Sequence, residues 1–169
     1  MPIRLTQKEA AGLGIGKRKR QGVKLTKLHP TAATWDARVD PGHTWICIPE
    51  LPPSLNEWSR QHWSERDRRV EEMTENLTGL RRAFRIPRVE RPRVQLVYYF
   101  ATRRHRDPDN YTGKFILDGL RHAGIIADDN SEVLQLPQPE FHVDRERPRT
   151  EILITEWRAE NGNGETDPD

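Results

Sequence analysis

Cysteine is nearly absent. The single Cys47 in 169 residues cannot form an internal disulfide, and no Cys or His set stands at zinc-ligand spacing. Long hydrophobic runs are missing too: nothing approaches the roughly 18 consecutive apolar residues of a membrane span. Hydrophobic residues make up 34% of the chain against 32% charged, so a core can form, but under a densely ionic surface. No membrane partner is expected. The early Lys and Arg residues are not followed by an apolar block ending in a cleavage site, and together these absences point to a reducing cytoplasm. The length leaves room for one ordinary domain plus tails.

The formal charge of +2 conceals an asymmetry. In residues 1–30, eight cations (Arg4, Lys8, Lys17, Arg18, Lys19, Arg20, Lys24 and Lys27) face only Glu9, giving +7. The other 20 basic and 25 acidic residues give −5. A basic arm is thus joined to a slightly acidic body. Residues 1–43 hold Gly12, Gly14, Gly16, Pro30, Pro41 and Gly42 and only a short helical pattern around Thr6 to Leu13, which reads as a mostly flexible arm. Residues 158–169 carry no apolar side chain larger than alanine and read as a disordered tail. The folded domain is expected over residues 44–157.

Within that domain, Trp45 to Ile48 is a short apolar run closed by Pro49, consistent with a strand, and Pro52 and Pro53 impose an extended turn. Ser64 resembles an N-cap. Val70, Met73, Leu77, Leu80 and Phe84 recur at spacings of three and four, predicting a helix from about Glu65 to Ala83. Arg93 to Ala101 has apolar residues on both alternating faces, as in a central strand covered on both sides. A second helix is expected from Asn110 to Ala123, ending at Gly124. Strands near Val133–Val143 and Thr150–Trp157 follow, separated by a charged turn containing Arg145, Glu146 and Pro148. The expected architecture is α+β: one mixed β-sheet packed by two main helices, in the order β-α-β-α-β-β.

The segment with most chemical content is Arg103 to Asn130, RRHRDPDNYTGKFILDGLRHAGIIADDN. It places Asp107, Asp109, Asp128 and Asp129 about the second helix. If Asp107 and Asp109 stay extended, they point to one side with Cα atoms roughly 7 Å apart. Like charges about 4 Å apart would repel by roughly 4 kcal/mol at an effective dielectric near 20, so a cation between them is expected. Ligands that are all oxygen favour Mg²⁺ or Mn²⁺ over Zn²⁺, which suits phosphodiester hydrolysis. Aspartates also crowd turns and helix starts simply to cap and solvate them, and that reading stands beside the metal one. Lys114 lies four residues before Asp118, as an exposed ion pair would, yet near a metal-bound phosphate it could offset charge on the leaving 3′ oxygen. His105 could act as a base, although a histidine among arginines more often contacts phosphate or solvent. Arg103, Arg104 and Arg106 flank the acidic pair, where a solvated face or a DNA cleft would both place them.

Three look-alike motifs fail. His105-Arg106-Asp107 imitates a kinase catalytic triplet, but Asn110 falls two residues early and no glycine-rich loop exists. An EF-hand opening at Asp107 would have Thr112 in place of its glycine and Asp118 in place of its glutamate. Gly12 to Lys17 is too short for a phosphate-binding Walker loop, and Arg18 replaces the required Ser or Thr.

Five segments form an ordered set: LPPSLN at Leu51–Asn56, the helix opening at Ser64, RHRDPDN at Arg104–Asn110, KFILDGL at Lys114–Leu120 and AGIIADDN at Ala123–Asn130. On these, the body from about Ile46 to Glu156 resembles the RusA-type Holliday-junction resolvases, endodeoxyribonucleases of bacteria and their phages. The resemblance implies Mg²⁺ with Mn²⁺ as a substitute, a homodimer, and paired nicks in four-way DNA junctions during recombination and repair. It also implies a bacterial or phage-infected cytoplasm. By motif, Asp107, Asp109 and Asp129 correspond to the metal-binding catalytic aspartates and Lys114 to the essential lysine, with Asp128 next if the Asp-Asp pair is read one residue off. Three residues, Tyr111 to Gly113, separate Asn110 from Lys114 where two are common, which displaces Lys114 by about one helical position.

Cys47, between Ile46 and Ile48, reads as a buried core thiol, and Trp45 and Trp157 as core. Trp58 and Trp63 alternate with Arg60, Arg66, Arg68 and Arg69, a mixture that suits stacking plus phosphate contact as well as helix packing. Arg60, Arg66, Arg69, Arg103, Arg104 and Arg106 are the candidate DNA contacts. The expected function is a Mg²⁺-dependent, structure-selective endonuclease. Its rivals are a non-catalytic DNA-binding protein on the same scaffold, and a nuclease of forks, flaps or RNA.

Overall fold

The computed structural model describes residues 33–157. The first 32 residues of the arm expected over 1–43, with its short helical pattern, and the tail expected in 158–169 lie outside the described residues. The fold is α+β, as expected, with a mixed five-stranded sheet: β1 (Asp36–Asp40), β2 (His43–Ile48), β3 (Pro92–Phe100), β4 (Glu140–Val143) and β5 (Arg149–Glu156). The helices are α1 (Leu55–Arg60), α2 (Trp63–Phe84) and α3 (Lys114–His122). The sheet order is β1-β2-β5-β3-β4. All neighbours are antiparallel except β3 and β4, which run parallel because α3 makes the crossover between them.

The element order departs from the expected β-α-β-α-β-β in two places. Asp36–Asp40, assigned from sequence to the flexible arm of residues 1–43, is instead a strand paired with β2 from Asp36↔Cys47 to Asp40↔His43. Pro41-Gly42 closes this hairpin. Proline presets φ at the first turn position, and Gly42 takes φ +84° at the second, a value other residues rarely accept. The folded domain therefore starts before residue 44. The second departure is α1. Ser54 and Glu57 form a reciprocal capping box, with Glu57 N donating to Ser54 Oγ at 3.3 Å and Ser54 N donating to Glu57 Oε2 at 2.8 Å. Pro52 and Pro53 direct the chain into this helix.

α2 runs two residues further at its start than expected and buries Met73, Leu77 and Leu80 of the predicted face, while Val70 is half-buried and Phe84, at the helix end, is exposed. Its N-cap is His62, whose Nδ1 accepts the Ser64 N–H, and not Ser64 itself. β3 lies between β5 and β4, while β5 occupies the middle of the sheet. Val94, Leu96, Tyr98 and Phe100 of β3 face the core with Ile46, Ile48, Ile152 and Ile154, beneath α2 and α3. The expectation of cover on both faces of β3 is corrected here: Val97 and Tyr99 are only half-buried. Trp45 and Trp157, read as core, are also half-buried and satisfy their indole N–H groups at Glu151 Oε2 (3.1 Å) and the Val133 carbonyl (2.8 Å). Cys47 is buried, as expected, and desolvation pushes its thiol pKa up.

The strand expected over Val133–Val143 is shortened to Glu140–Val143. Pro137 and Pro139 lack the N–H that a ladder needs, and the chain before them is tied to β3 through Gln135 N to Pro92 O and Val94 N to Gln135 O, both 2.9 Å. The charged turn between β4 and β5 is organised by Asp144. Its carboxylate accepts Arg147 N (3.0 Å) and Glu146 N (3.1 Å) at one oxygen and Arg149 Nη1 (2.7 Å) at the other.

Two outcomes are expected. An ideal Cβ on Gly119 of α3 would lie 2.6 Å from Met73 Cγ and 3.1 Å from Leu77 Cδ1, so Gly119→Val should lower stability by about 2–3 kcal/mol in denaturant titrations. The bonds to Arg147 N–H and Arg149 hold the Asp144 carboxyl below its ordinary pKa. A depressed carboxyl stabilises the fold above its unfolded-state pKa of about 3.9 and loses that contribution as pH falls through the folded value. Asp144→Asn should therefore narrow the drop in melting temperature between pH 7 and pH 3.

Candidate active site

The acidic segment hangs between β3 and α3, and one buried hydroxyl anchors it. Tyr98 points into the core from β3 and donates its Oη to the Tyr111 carbonyl at 3.2 Å. Burial raises the Tyr98 pKa far above its ordinary value, so the phenol stays a neutral donor. Tyr98, Phe100, Tyr111 and Phe141 pack with ring centroids 5.4–6.2 Å apart. The loop carrying Asp107 and Asp109 is thereby fixed to the sheet at its far end.

Asp107 and Asp109 do not continue as an extended pair. Asp107 is extended, but Pro108–Asn110 forms one 3₁₀ turn that Asp107 caps by accepting Asp109 N at 3.1 Å. Proline at the first position presets this turn, and the 7 Å extended geometry is lost. The Asp109 carboxylate has no hydrogen-bond or ion-pair partner among the described residues. It borders a hollow of about 140 Å³ with Leu96, Tyr111 and Leu136.

The second helix was expected from Asn110, but α3 starts at Lys114. Gly113 precedes it at φ +65°, and a Cβ there would meet Leu96 Cδ1 and Tyr98 Oη, so only glycine fits. Tyr111 to Gly113 thus turn the chain between the 3₁₀ turn and α3. Lys114 becomes the first helical residue, with its side chain 65% exposed and Nζ 4.0 Å from Asp118 Oδ2. A pair that open to water contributes little stability, which leaves the ammonium available to an incoming anion.

Beyond α3, the Asp128 carboxylate accepts Asp129 N at 2.8 Å and Asn130 Nδ2 at 2.6 Å, and the Asp129 N–H is the main cause holding its pKa down. Asp129 Oδ1 faces Arg121 Nε at 3.5 Å. Arg121 Nε is buried and makes no hydrogen bond, so Asp129 neutralises that guanidinium without closing a bond to it. The oxygen donors of Asp107 and Asp109 suit a hard cation in kind. Yet no three His, Cys, Asp or Glu side chains gather as a metal-binding group among the described residues, and the expected meeting of Asp107, Asp109 and Asp129 is not seen.

The basic candidates divide by role. Arg103, Arg104 and His105 are exposed in the loop after β3. Arg106 instead lies 3.7 Å over the Phe100 ring and donates to the Thr102 and Arg104 carbonyls, both at 3.1 Å, which shapes that loop. Arg60 is exposed on α1, Arg66 is half-buried on α2, and Arg69 lies beside Glu65 with Nε 3.5 Å from Oε1. Trp58 stacks on Phe115 at 5.5 Å, so packing accounts for it, whereas Trp63 is 63% exposed.

Tyr98→Phe leaves the Tyr111 carbonyl without its donor. The expected result is a loss of about 1 kcal/mol, with amide exchange accelerating over residues 107–113 more than in β5, read by hydrogen–deuterium exchange. A scan against protein-family models finds no match to this chain, and a search of curated proteins also finds none.

Proposed function

We propose that the chain is a Mg²⁺-dependent, structure-selective endodeoxyribonuclease that makes paired nicks in four-way DNA junctions, in recombination and repair within a bacterial or phage-infected cytoplasm. The observation that carries this reading is the Asp109 carboxylate, without a partner among the described residues, on a capped turn just before the exposed Lys114, with Arg103, Arg104 and His105 exposed on the same connection between β3 and α3. The resemblance of the ordered motifs to RusA-type resolvases supports it. Asp107 and Asp109, with Asp129 or Asp128, would hold Mg²⁺ or Mn²⁺; the bound ion supplies charge neutralisation at the phosphate and a more acidic water.

The chain's own groups do the rest. Asp107 fixes the backbone of the turn through Asp109 N, so the Asp109 side chain leaves from a set position. Lys114 offsets negative charge on the phosphate or the leaving 3′ oxygen. Arg103 and Arg104 contact flanking phosphates, which positions DNA without reading its sequence. A twofold homodimer would set two such turns against strands related by the junction's own symmetry. Among the described residues no helix is long and apolar enough to cross a membrane.

A second reading is favoured by the partners of Asp128 and Asp129. If the Asn130 and Arg121 contacts persist on DNA, the acidic cluster is structural and the protein binds junctions without cutting them. Under the nuclease reading, Asp109→Asn should reduce Mg²⁺-dependent nicking of a four-way junction by about 10²-fold or more while leaving junction affinity unchanged, and chelation should stop nicking by the wild type. Tight binding with no nick by the wild type at any Mg²⁺ or Mn²⁺ concentration would establish the non-catalytic reading. Comparison with a fork, a flap and a linear duplex reports the preferred substrate.

A further inference from the structure

A second hollow, about 460 Å³ in volume, opens between the residue before β1, the β2–α1 connection, α2 and the first turn of α3. Its size lies within the range of small-ligand sites. Trp35, Leu51, Met73 and Phe115 supply apolar and aromatic surface. Phe115 is backed by the stacked ring of Trp58, so that part of the floor is held rigidly. Phe115 also directly follows Lys114, which brings this hollow to the same helix start as the acidic turn.

The polar wall is unusual in its charge. Arg68 and Arg69 are balanced by Glu50 and Glu72, and Arg68 is already engaged by Glu65 at 3.1 Å and by Glu72. A hollow with no net charge gives a free phosphate or a bare cation little reason to enter. Two groups are left with unused hydrogen-bonding capacity. Asn76 makes no side-chain hydrogen bond among the described residues and offers both a donor and an acceptor. Arg69 Nε is buried and has the Glu65 carboxylate at 3.5 Å but closes no hydrogen bond among the described residues, which leaves it able to donate to an incoming acceptor. Aromatic surface, a neutral lining and an amide edge together match a flat, uncharged ring with donors and acceptors on its rim. Asn pairs two-pronged with such an edge on adenine, and carboxylates such as Glu50 accept from the cytosine amine.

We propose that this hollow receives one unpaired nucleobase of a DNA strand, stacked against Trp35 and read at its edge by Asn76, with its phosphate outside. This rests on the DNA-binding part of the reading above and adds a base-recognition site on α2. Loss of one base contact, the stack or the edge, should weaken binding by about tenfold.

The test uses the full chain with EDTA present, so that no strand is cut, and a short labelled single-stranded DNA whose binding is followed by fluorescence anisotropy. Asn76 is exposed on α2, so Asn76→Ala should fold as the wild type does, checked by circular dichroism; Trp35→Ala is the second variant. Each should bind the strand about tenfold more weakly than the wild type. Replacing the strand's bases by abasic sites should weaken the wild type and erase the difference between wild type and variants. Equal affinity of Asn76→Ala and wild type for the intact strand, or equal wild-type affinity for intact and abasic strands, would overturn the proposal. The two readings fail separately: absent nicking with this binding pattern defeats the nuclease alone, and intact nicking without it defeats the base site alone.

Discussion

The hydrogen bond from Tyr98 to the Tyr111 carbonyl joins the core to the acidic loop, and the arrangement of the candidate site depends on it. Tyr98 is fully buried, in line with Val94, Leu96 and Phe100 beneath the helices. A phenol there must find an acceptor or lose free energy, and the backbone of the loop between β3 and α3 provides one. Leu96 and the same tyrosine crowd Gly113, leaving space for no larger residue. Tyr98 thus ties down the residue after the 3₁₀ turn and, with Leu96, limits which residue can precede α3 and so where Lys114 emerges.

The helix-covered face explains why the site lies at this end. β3 and β4 are parallel, so the chain must cross over the sheet between them, and α3 makes that crossing packed on α2, with Gly119 against Met73 and Leu77. Asp107 and Asp109 enter the crossover, and Asp128 and Asp129 leave it. Both acidic pairs therefore belong to the connections of one helix, even though their side chains reach different partners. The opposite sheet face follows another logic: Arg149 lies 3.7 Å over Tyr99 and bonds Asp144 and Glu151, both at 2.7 Å, so paired polar groups with aromatic cover replace a second helical layer.

Much of this was legible in the sequence because it follows from periodicity. Met73, Leu77 and Leu80 are buried where their spacing put them, and the alternation through Val94 to Phe100 marked β3. What escaped had local chemistry that composition masked. Asp40-Pro41-Gly42-His43 is a hairpin turn, but its proline and glycine read as part of a flexible arm. Ser54 and Glu57 are a capping box, hidden behind two prolines. Interior strands with apolar residues on both faces imply double cover, yet Tyr99 and Trp45 show that aromatics with polar partners serve equally on a half-open face. The motif DPDNYTGK fills the connection between β3 and α3, but its side-chain geometry was beyond sequence reasoning, because Pro108 favours a turn as readily as an extended strand.

Which carboxylates are already satisfied limits what a cation could recruit. Asp128 accepts two hydrogen bonds, and Asp107 accepts one that defines its turn. Drawing Asp128 onto a metal would uncap its own loop, so it is the costlier ligand. Asp129 is held only by an ion pair at 3.5 Å without a formed hydrogen bond, and a divalent charge competes for a carboxylate more strongly than one guanidinium at that separation. Among the described residues, the Asp109 carboxylate has no partner to give up. Judged by these contacts alone, Asp109 has least to give up among the described residues, followed by Asp129, Asp107 and Asp128. Under the proposed function, Asp129 therefore stands ahead of its neighbour Asp128 as a ligand.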